Sequence, residues 1–141
     1  MRFARSGTGS LGWGMGTHAP TVLVVEDDED TRRVMAVCLQ GEGYHVVEAA
    51  EAEAALAALA SERVDLILTD AALTGTWDSR APWRVPARLR RAAPAIPIVV
   101  CSAHAPRIFA EHAARGFAGF VPKPFDLDAL LGAVARCLPS C

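Results

Sequence analysis

The sequence lacks several features that would assign it to a specialised class of protein. Its formal net charge is only −2, so no strong field draws it to nucleic acid or to an anionic membrane. No apolar run is long enough to span a bilayer, and residues 1–18 lack the continuous apolar stretch of a signal peptide. We therefore expect a cytoplasmic protein without a membrane partner.

Cysteine and lysine are both scarce. The four cysteines have neither the spacing of a metal site nor that of a disulfide framework, and Cys38 and Cys101 stand in apolar stretches, where we expect reduced core residues. Lys123 is the only lysine beside thirteen arginines. Because lysine and arginine are not interchangeable where an anion is held closely, this single lysine is a candidate for a specific role.

The sequence does have an alternation of short apolar runs and helical patterns. Hydrophobic residues make up 52% of its 141 residues, enough for one domain with a core. The apolar runs predict strands at 21–25, 44–49, 64–69, 96–101 and 117–121. This alternation predicts an α/β, flavodoxin-like, doubly wound fold with a five-stranded parallel sheet in the order 2-1-3-4-5 and helices on both faces. Residues 1–18 are expected to be a flexible leader and residues 19–141 the folded domain.

Helical spacing follows the strands. A first helix, from Glu29, is predicted to bury a face made of Val34, Val37, Cys38 and Gly41. The second and the final helix are predicted to bury Ala52, Ala55, Leu56 and Leu59, and Leu127, Leu130, Leu131, Val134 and Leu138, respectively. A short helix is predicted at 108–114. Because proline inside a helix costs about 3 kcal/mol, the third helix is predicted to begin near Pro86 and end near residue 92, after a long loop at 74–85.

Polar residues stand where four of the predicted strands end. They are Glu26 and Asp27 after the first strand, Asp70 after the third, Ser102 after the fourth and Lys123 just after the fifth. The carboxyl ends of parallel strands share one edge of the sheet, where ligands bind, so these side chains are expected to meet. Three carboxylates brought together repel unless a cation lies among them, and Mg²⁺ prefers such ligands.

An ammonium and a hydroxyl beside these carboxylates can hold phosphate oxygens, which predicts phosphoryl transfer with Asp70 as the nucleophile. Each residue alone has a simpler interpretation. An acidic run such as 26–30 is usually a solvated helix start, and an Asp closing a strand is usually a cap or turn residue. Their joint occurrence at the ends of four strands favours the site.

Four segments resemble the receiver domains of two-component response regulators: VLVVEDDE at 22–29, DLILTD at 65–70, IVVCSA at 98–103 and FVPKPF at 120–125. The resemblance covers about residues 20–138. It implies a regulatory domain of a phosphorelay that accepts a phosphoryl group on Asp70, with Mg²⁺, from a sensor histidine kinase or a histidine phosphotransfer protein. We expect a stand-alone receiver, and a receiver fragment of a larger kinase is the alternative. It implies no enzyme activity beyond this self-catalysed transfer and the later loss of phosphate.

The resemblance also implies residue roles. Metal ligands fall on Glu26, Asp27, Asp70 and the backbone carbonyl of Ala72, with Asp27 the favoured direct ligand. Lys123 and Ser102 would hold the phosphate, and Ser102 and Phe120 would form the switch. The Lys123–Pro124 bond is implied to be cis. Phosphorylation would change a protein-binding face formed by the fourth predicted helix, the fifth strand and the final helix, and no direct DNA binding is expected.

The stretch after Asp70 departs from the family, because Thr74 and Asp78 replace a typical proline and glycine. This departure leaves open a pseudo-receiver that binds partners without phosphorylation. A phosphatase of the haloacid-dehalogenase type would need a carboxylate in place of Ala72, and a nucleotide-binding flavodoxin-like protein would need a glycine-rich loop after the first strand. Trp77 and Trp83, which lie in the predicted loop, are expected to pack locally or to contact a partner.

Overall fold

Five short runs of β-branched and aliphatic residues form a parallel sheet. The computed structural model of the chain describes residues 19–71, 84–103 and 116–138. Its strands are β1 (Thr21–Val25), β2 (His45–Ala49), β3 (Leu66–Asp70), β4 (Ile98–Ser102) and β5 (Gly119–Pro122), and its helices are α1 (Glu29–Gly41), α2 (Ala52–Ser61), α3 (Arg84–Ala92) and α4 (Leu127–Cys137). The strand order is β2-β1-β3-β4-β5, with every neighbouring pair parallel. The predicted order is confirmed.

The sheet is covered on both faces, because alternate side chains of a strand point to opposite sides. In β1, Val22 and Val24 pack in one core layer with residues of α1 and α4. Leu23 and Val25 pack in a second layer with residues of α2 and α3. Every residue of β3 and β4 is buried, so these strands read as continuous apolar runs.

The strand limits shift slightly from those predicted. β4 begins after Pro97, which has no N–H to donate to the sheet, although its carbonyl still accepts from the N–H of Ile67 at 3.0 Å. β3 begins after Asp65, whose side chain accepts from the N–H of Thr21 at 2.8 Å. β3 extends through Asp70, so the predicted phosphoacceptor lies in the strand itself.

The predicted buried face of α1 is wrong. Val34 and Val37 are 47% and 56% exposed, and the buried residues of this helix are Met35, Ala36 and Leu39. These three follow Arg32 at i+3, i+4 and i+7. Arg32 therefore lies at the start of the buried face of α1, where it contacts Glu48 and the carbonyl of Glu26.

The other helices follow the predicted stripes more closely. In α2, Ala52 and Ala55 are buried and both predicted leucines pack against the core. In α4, Leu127 is the exception, with 39% exposure. α3 spans Arg84–Ala92, so it begins within two residues of the predicted start near Pro86 and ends where predicted. Proline fits there because the N–H groups of a first helical turn have no partner within the helix.

Several predictions lie outside the described residues: the leader at 1–18, residues 74–83 of the predicted loop with Trp77 and Trp83, the helix at 108–114, and Ala72. Among the residues described, no helix is long and apolar enough to cross a membrane.

Candidate functional site

The acidic residues lie at the carboxyl ends of two neighbouring strands. Glu26 and Asp27 follow β1, and Asp70 ends β3. The two strands pair in register up to Val25 and Thr69. The residues that follow this pair, Glu26 and Asp70, therefore lie side by side. One ligand atom from each of Glu26, Asp27 and Asp70 lies within 4.8 Å of the other two.

β4 and β5 bring the lysine to the same edge. Asp70 pairs in register with Cys101, and Ser102 pairs with Pro122. The N–H of Lys123 donates to the carbonyl of Ser102 at 2.9 Å. Lys123 thus starts two strands away from Asp70, and its side chain spans that distance.

The Lys123 ammonium joins two of the carboxylates. Its Nζ atom lies 2.5 Å from Oε1 of Glu26 and 2.9 Å from Oδ2 of Asp70. The Glu26 side chain is only 2% exposed and that of Lys123 20%. Ion pairs withdrawn from water in this way depend on their hydrogen bonds to offset the cost of desolvation. The pairing therefore fixes both side chains.

Burial and pairing act on the titration of these two groups. Burial raises the pKa of Glu26 above its ordinary value, and this outweighs the opposing effect of the Lys123 hydrogen bond. For Lys123, burial lowers the pKa, but hydrogen bonds to Glu26 and Asp70 more than offset it, so the pKa is raised overall. The ammonium consequently stays protonated at neutral pH.

The charges of the edge suit a divalent cation. Three carboxylates and one ammonium leave two negative charges uncompensated among these four groups. Carboxylate oxygens are the ligands that Mg²⁺ prefers, and an ion bound there would supply positive charge to the edge. Glu26, Asp27 and Asp70 are the residues that would hold it.

The turn after Glu26 is fixed by its own hydrogen bonds. Oε2 of Glu26 accepts from the N–H of Asp28 at 3.0 Å. Asp28 is the N-cap of α1 and accepts from the N–H of Thr31 at 2.9 Å and from its hydroxyl at 2.5 Å. These hydrogen bonds lower the pKa of Asp28, so the cap is charged at neutral pH.

Arg32 is a neighbour of the site that the sequence patterns did not reveal. Its Nη1 donates to the backbone carbonyl of Glu26 at 2.9 Å, and its Nε donates to Oε1 of Glu48 at 3.1 Å. A signal was present in the sequence, because Glu48 is a charged residue beside the two valines of the second strand. Its side chain is only 25% exposed, and a partly buried charge favours a partner of opposite sign.

The remaining predicted residues lie around this edge. Ser102 is fully buried at the end of β4, and Phe120 on β5 is partly buried against the layer that includes α2 and α3. The Lys123–Pro124 bond is cis, as the resemblance implied. A cavity of about 360 Å³ adjoins the lysine and is lined by Asp30, Thr31, Val34, Lys123, Pro124 and Phe125.

Comparison with known proteins gives consistent matches. Residues 22–135 match the response regulator receiver domain family. The DNA-binding transcriptional regulator NtrC of Azospirillum brasilense is 35% identical over 123 residues, which are 86% of this chain and 25% of that protein. The chain spans about a quarter of the length of the curated relatives that it matches.

Solved structures share the fold. NtrX of Brucella abortus superposes with a TM-score of 0.74 and 30% identity, covering 86% of this chain and 27% of that one. The response regulator protein TrrA of Thermotoga maritima, solved in complex with Mg²⁺ and BeF, has a TM-score of 0.71 and 25% identity. That match covers 84% of this chain and 99% of TrrA.

Proposed function

The chain belongs to the response regulator receiver domain family, and from this premise we propose that it accepts a phosphoryl group on Asp70. Receiver domains are regulatory domains of phosphorelay signalling. The observation that carries the assignment of Asp70 is its hydrogen bond to the only lysine, at 2.9 Å, within a cluster of three carboxylates. Glu26 shares both contacts, but its second carboxylate oxygen accepts from the N–H of Asp28, and the resemblance to receiver domains assigns the acceptor role to Asp70.

The transfer uses a carboxylate as the nucleophile. An oxygen of Asp70 attacks the phosphorus of a phosphohistidine, a P–O bond forms, the P–N bond breaks, and the imidazole leaves and is protonated by solvent. Bound Mg²⁺ would supply positive charge against the phosphoryl oxygens. Lys123, already charged and placed at Asp70, moves its hydrogen bond to one of these oxygens.

The roles of Ser102 and Phe120 belong to the response that follows. The Ser102 hydroxyl moves toward the phosphoryl group and donates to a second of its oxygens. The Phe120 ring then moves into the space that the Ser102 side chain has left. Such a response is a shift between two packings biased by a local change of charge. It alters the face formed by the segment before β5, β5 itself and α4, which binds a downstream protein.

The partners in this proposal are proteins. A sensor histidine kinase or a histidine phosphotransfer protein is the donor, and a cavity adjoins Lys123 beside the proposed acceptor. The domain acts in the cytoplasm and makes no direct contact with DNA, as its small net charge of −2 favours.

Phosphorylation by acetyl phosphate with and without Mg²⁺, read by intact mass, tests the proposal. We expect the wild type to gain one phosphoryl group only with Mg²⁺, and Asp70→Asn to gain none. Asp65→Asn is the matched control, because Asp65 stands at the opposite end of the same strand and binds the backbone of Thr21. A wild-type chain that stays unmodified would favour a partner-binding domain that works without phosphorylation.

A further inference from the structure

One guanidinium connects the turn that carries the acidic pair to the edge strand of the sheet. Arg32 lies in the first half of α1 and its side chain is 16% exposed. Nη1 binds the Glu26 carbonyl at 2.9 Å and Nε binds the Glu48 carboxylate at 3.1 Å. The backbone N–H of Arg32 also donates to the carbonyl of Asp28 at 2.9 Å. Arg32 therefore contacts the turn 26–28 at two points.

The position of Glu48 gives this contact its rigidity. Glu48 pairs in register with Val24, two residues before Glu26 on the neighbouring strand. The N–H of Glu26 itself donates to the carbonyl of Ala49 at 3.0 Å. A planar guanidinium that binds both a carboxylate and a carbonyl fixes the two acceptors relative to each other.

We propose that Arg32 is a positioning residue of the acceptor site, which holds the turn at Glu26 and Asp27 in the conformation that binds Mg²⁺. The proposal rests on the proposed function in that Mg²⁺ is taken as the ion of this site. Arg32 does not touch the ion, the phosphate or Asp70. It acts through the backbone of Glu26, as outer partners of metal ligands generally do.

Arg33 provides a matched control. It also pairs with Glu48, with Nη1 2.6 Å from Oε2, but its side chain is 56% exposed. The contact of Arg32 with the Glu26 carbonyl is the difference that matters between the two arginines. Replacing either one removes one positive charge and one ion pair with Glu48.

The sign of the effect separates positioning from simple electrostatics. Removing a positive charge near a cation site by itself strengthens Mg²⁺ binding, because it relieves Coulomb repulsion of the ion. Loss of the hydrogen bond from Arg32 to the Glu26 carbonyl weakens Mg²⁺ binding, because Glu26 and Asp27 are no longer held in one geometry. Positioning by Arg32 thus predicts a change opposite to the one that its charge alone would cause.

The test measures Mg²⁺ dissociation constants by NMR titration of wild type, Arg32→Met, Arg32→Lys and Arg33→Met. We expect Arg32→Met to bind Mg²⁺ about tenfold more weakly and Arg33→Met to stay within about twofold of wild type. Arg32→Lys should also bind weakly, because one ammonium cannot reproduce the planar fork. Equal losses in Arg32→Met and Arg33→Met, or tighter binding in Arg32→Met, would overturn the proposal.

A second readout needs neither metal nor phosphate. Hydrogen exchange of the Asp28 amide, which donates to Oε2 of Glu26, reports on the turn in the metal-free protein. We expect faster exchange in Arg32→Met and Arg32→Lys and wild-type exchange in Arg33→Met. If the wild type binds no Mg²⁺, the metal part of the proposed function fails, while this exchange still decides the positioning role. Unchanged exchange in Arg32→Lys contradicts that role even if Arg32→Met does not fold.

Discussion

Lys123 and Glu26 are 97 positions apart in the chain, yet their side chains meet at 2.5 Å. One follows the first strand of the sequence and the other follows the last. Between them in space lie β3 and β4, whose ends contribute Asp70 and Ser102. The lysine therefore connects the carboxyl end of β5 to the carboxyl end of β1 across the two strands between them.

Removing this lysine should destabilise the metal-free protein. Lys123→Met leaves the buried Glu26 carboxylate without its cation, and breaking such a pair costs about 3 kcal/mol. The double variant Glu26→Gln with Lys123→Met should lose less, because the buried charge goes with its partner. Urea denaturation in EDTA measures both free energies of unfolding, and a double variant less stable than Lys123→Met would contradict the expectation.

The same lysine should make stability depend on pH at the alkaline end. Burial lowers its pKa, but hydrogen bonds to Glu26 and Asp70 outweigh burial and raise it above the ordinary value of 10.5. The folded state thus binds this proton more tightly than the unfolded state, so its contribution is present below pH 10.5 and is lost as the pH rises above that value.

Urea denaturation at several pH values between about 9 and 11.5 checks the alkaline loss. The difference in stability between wild type and Lys123→Met should shrink over the upper part of this range. No other lysine exists to contribute, and subtraction of the variant cancels the tyrosine and the cysteines apart from Cys101, whose pKa the charge of Lys123 lowers. A constant difference would show that the ammonium keeps its ordinary pKa on folding.

Cys101 should be inert in the native protein although it lies beside Asp70 in the sheet. Burial raises the pKa of its thiol to about 12, so at pH 8 only about one molecule in ten thousand carries the reactive thiolate. Iodoacetamide followed by peptide mapping should label Cys38, which is partly exposed, well before Cys101. In denaturant both should react alike, and equal native labelling would contradict this.

The two apolar faces of α1 should respond very differently to truncation. Met35 is fully buried in the layer shared with α4, so Met35→Ala should cost about 3 kcal/mol. Val34→Ala removes a side chain that is 47% exposed and should cost about 0.5 kcal/mol or less. Urea denaturation of the two variants compares them directly, and similar losses would argue against the buried face described for α1.

This helix also shows where the sequence patterns were insufficient. Residues 34–39 are all apolar, so several stripes with helical spacing can be drawn through them. The buried stripe starts at Arg32, and only its contacts with Glu48 and the Glu26 carbonyl explain a charged residue there. A prediction from hydrophobic spacing alone does not consider a charged residue, so it placed Val34 and Val37 on the buried face.

The sheet and its edge were more predictable, for a physical reason. Continuously apolar strands in an alternating α/β pattern admit few arrangements, and the ends of parallel strands must share an edge. The proximity of Glu26, Asp27 and Asp70 follows from that rule. Which carboxylate the ammonium of Lys123 would bind does not follow, because it depends on side-chain length and on the path of the chain after β5.

The order of the strands along the chain determines when each residue of the site is synthesised. Asp70 is synthesised 53 residues before Lys123, so a nascent polypeptide carries the aspartate while the lysine is still to be made. Translation at about 5–20 residues per second leaves that interval open for seconds. A truncated product that ends before β5 carries the aspartate without the lysine. Under the proposed function, phosphorylation would therefore require that the last strand has been made and has joined β4.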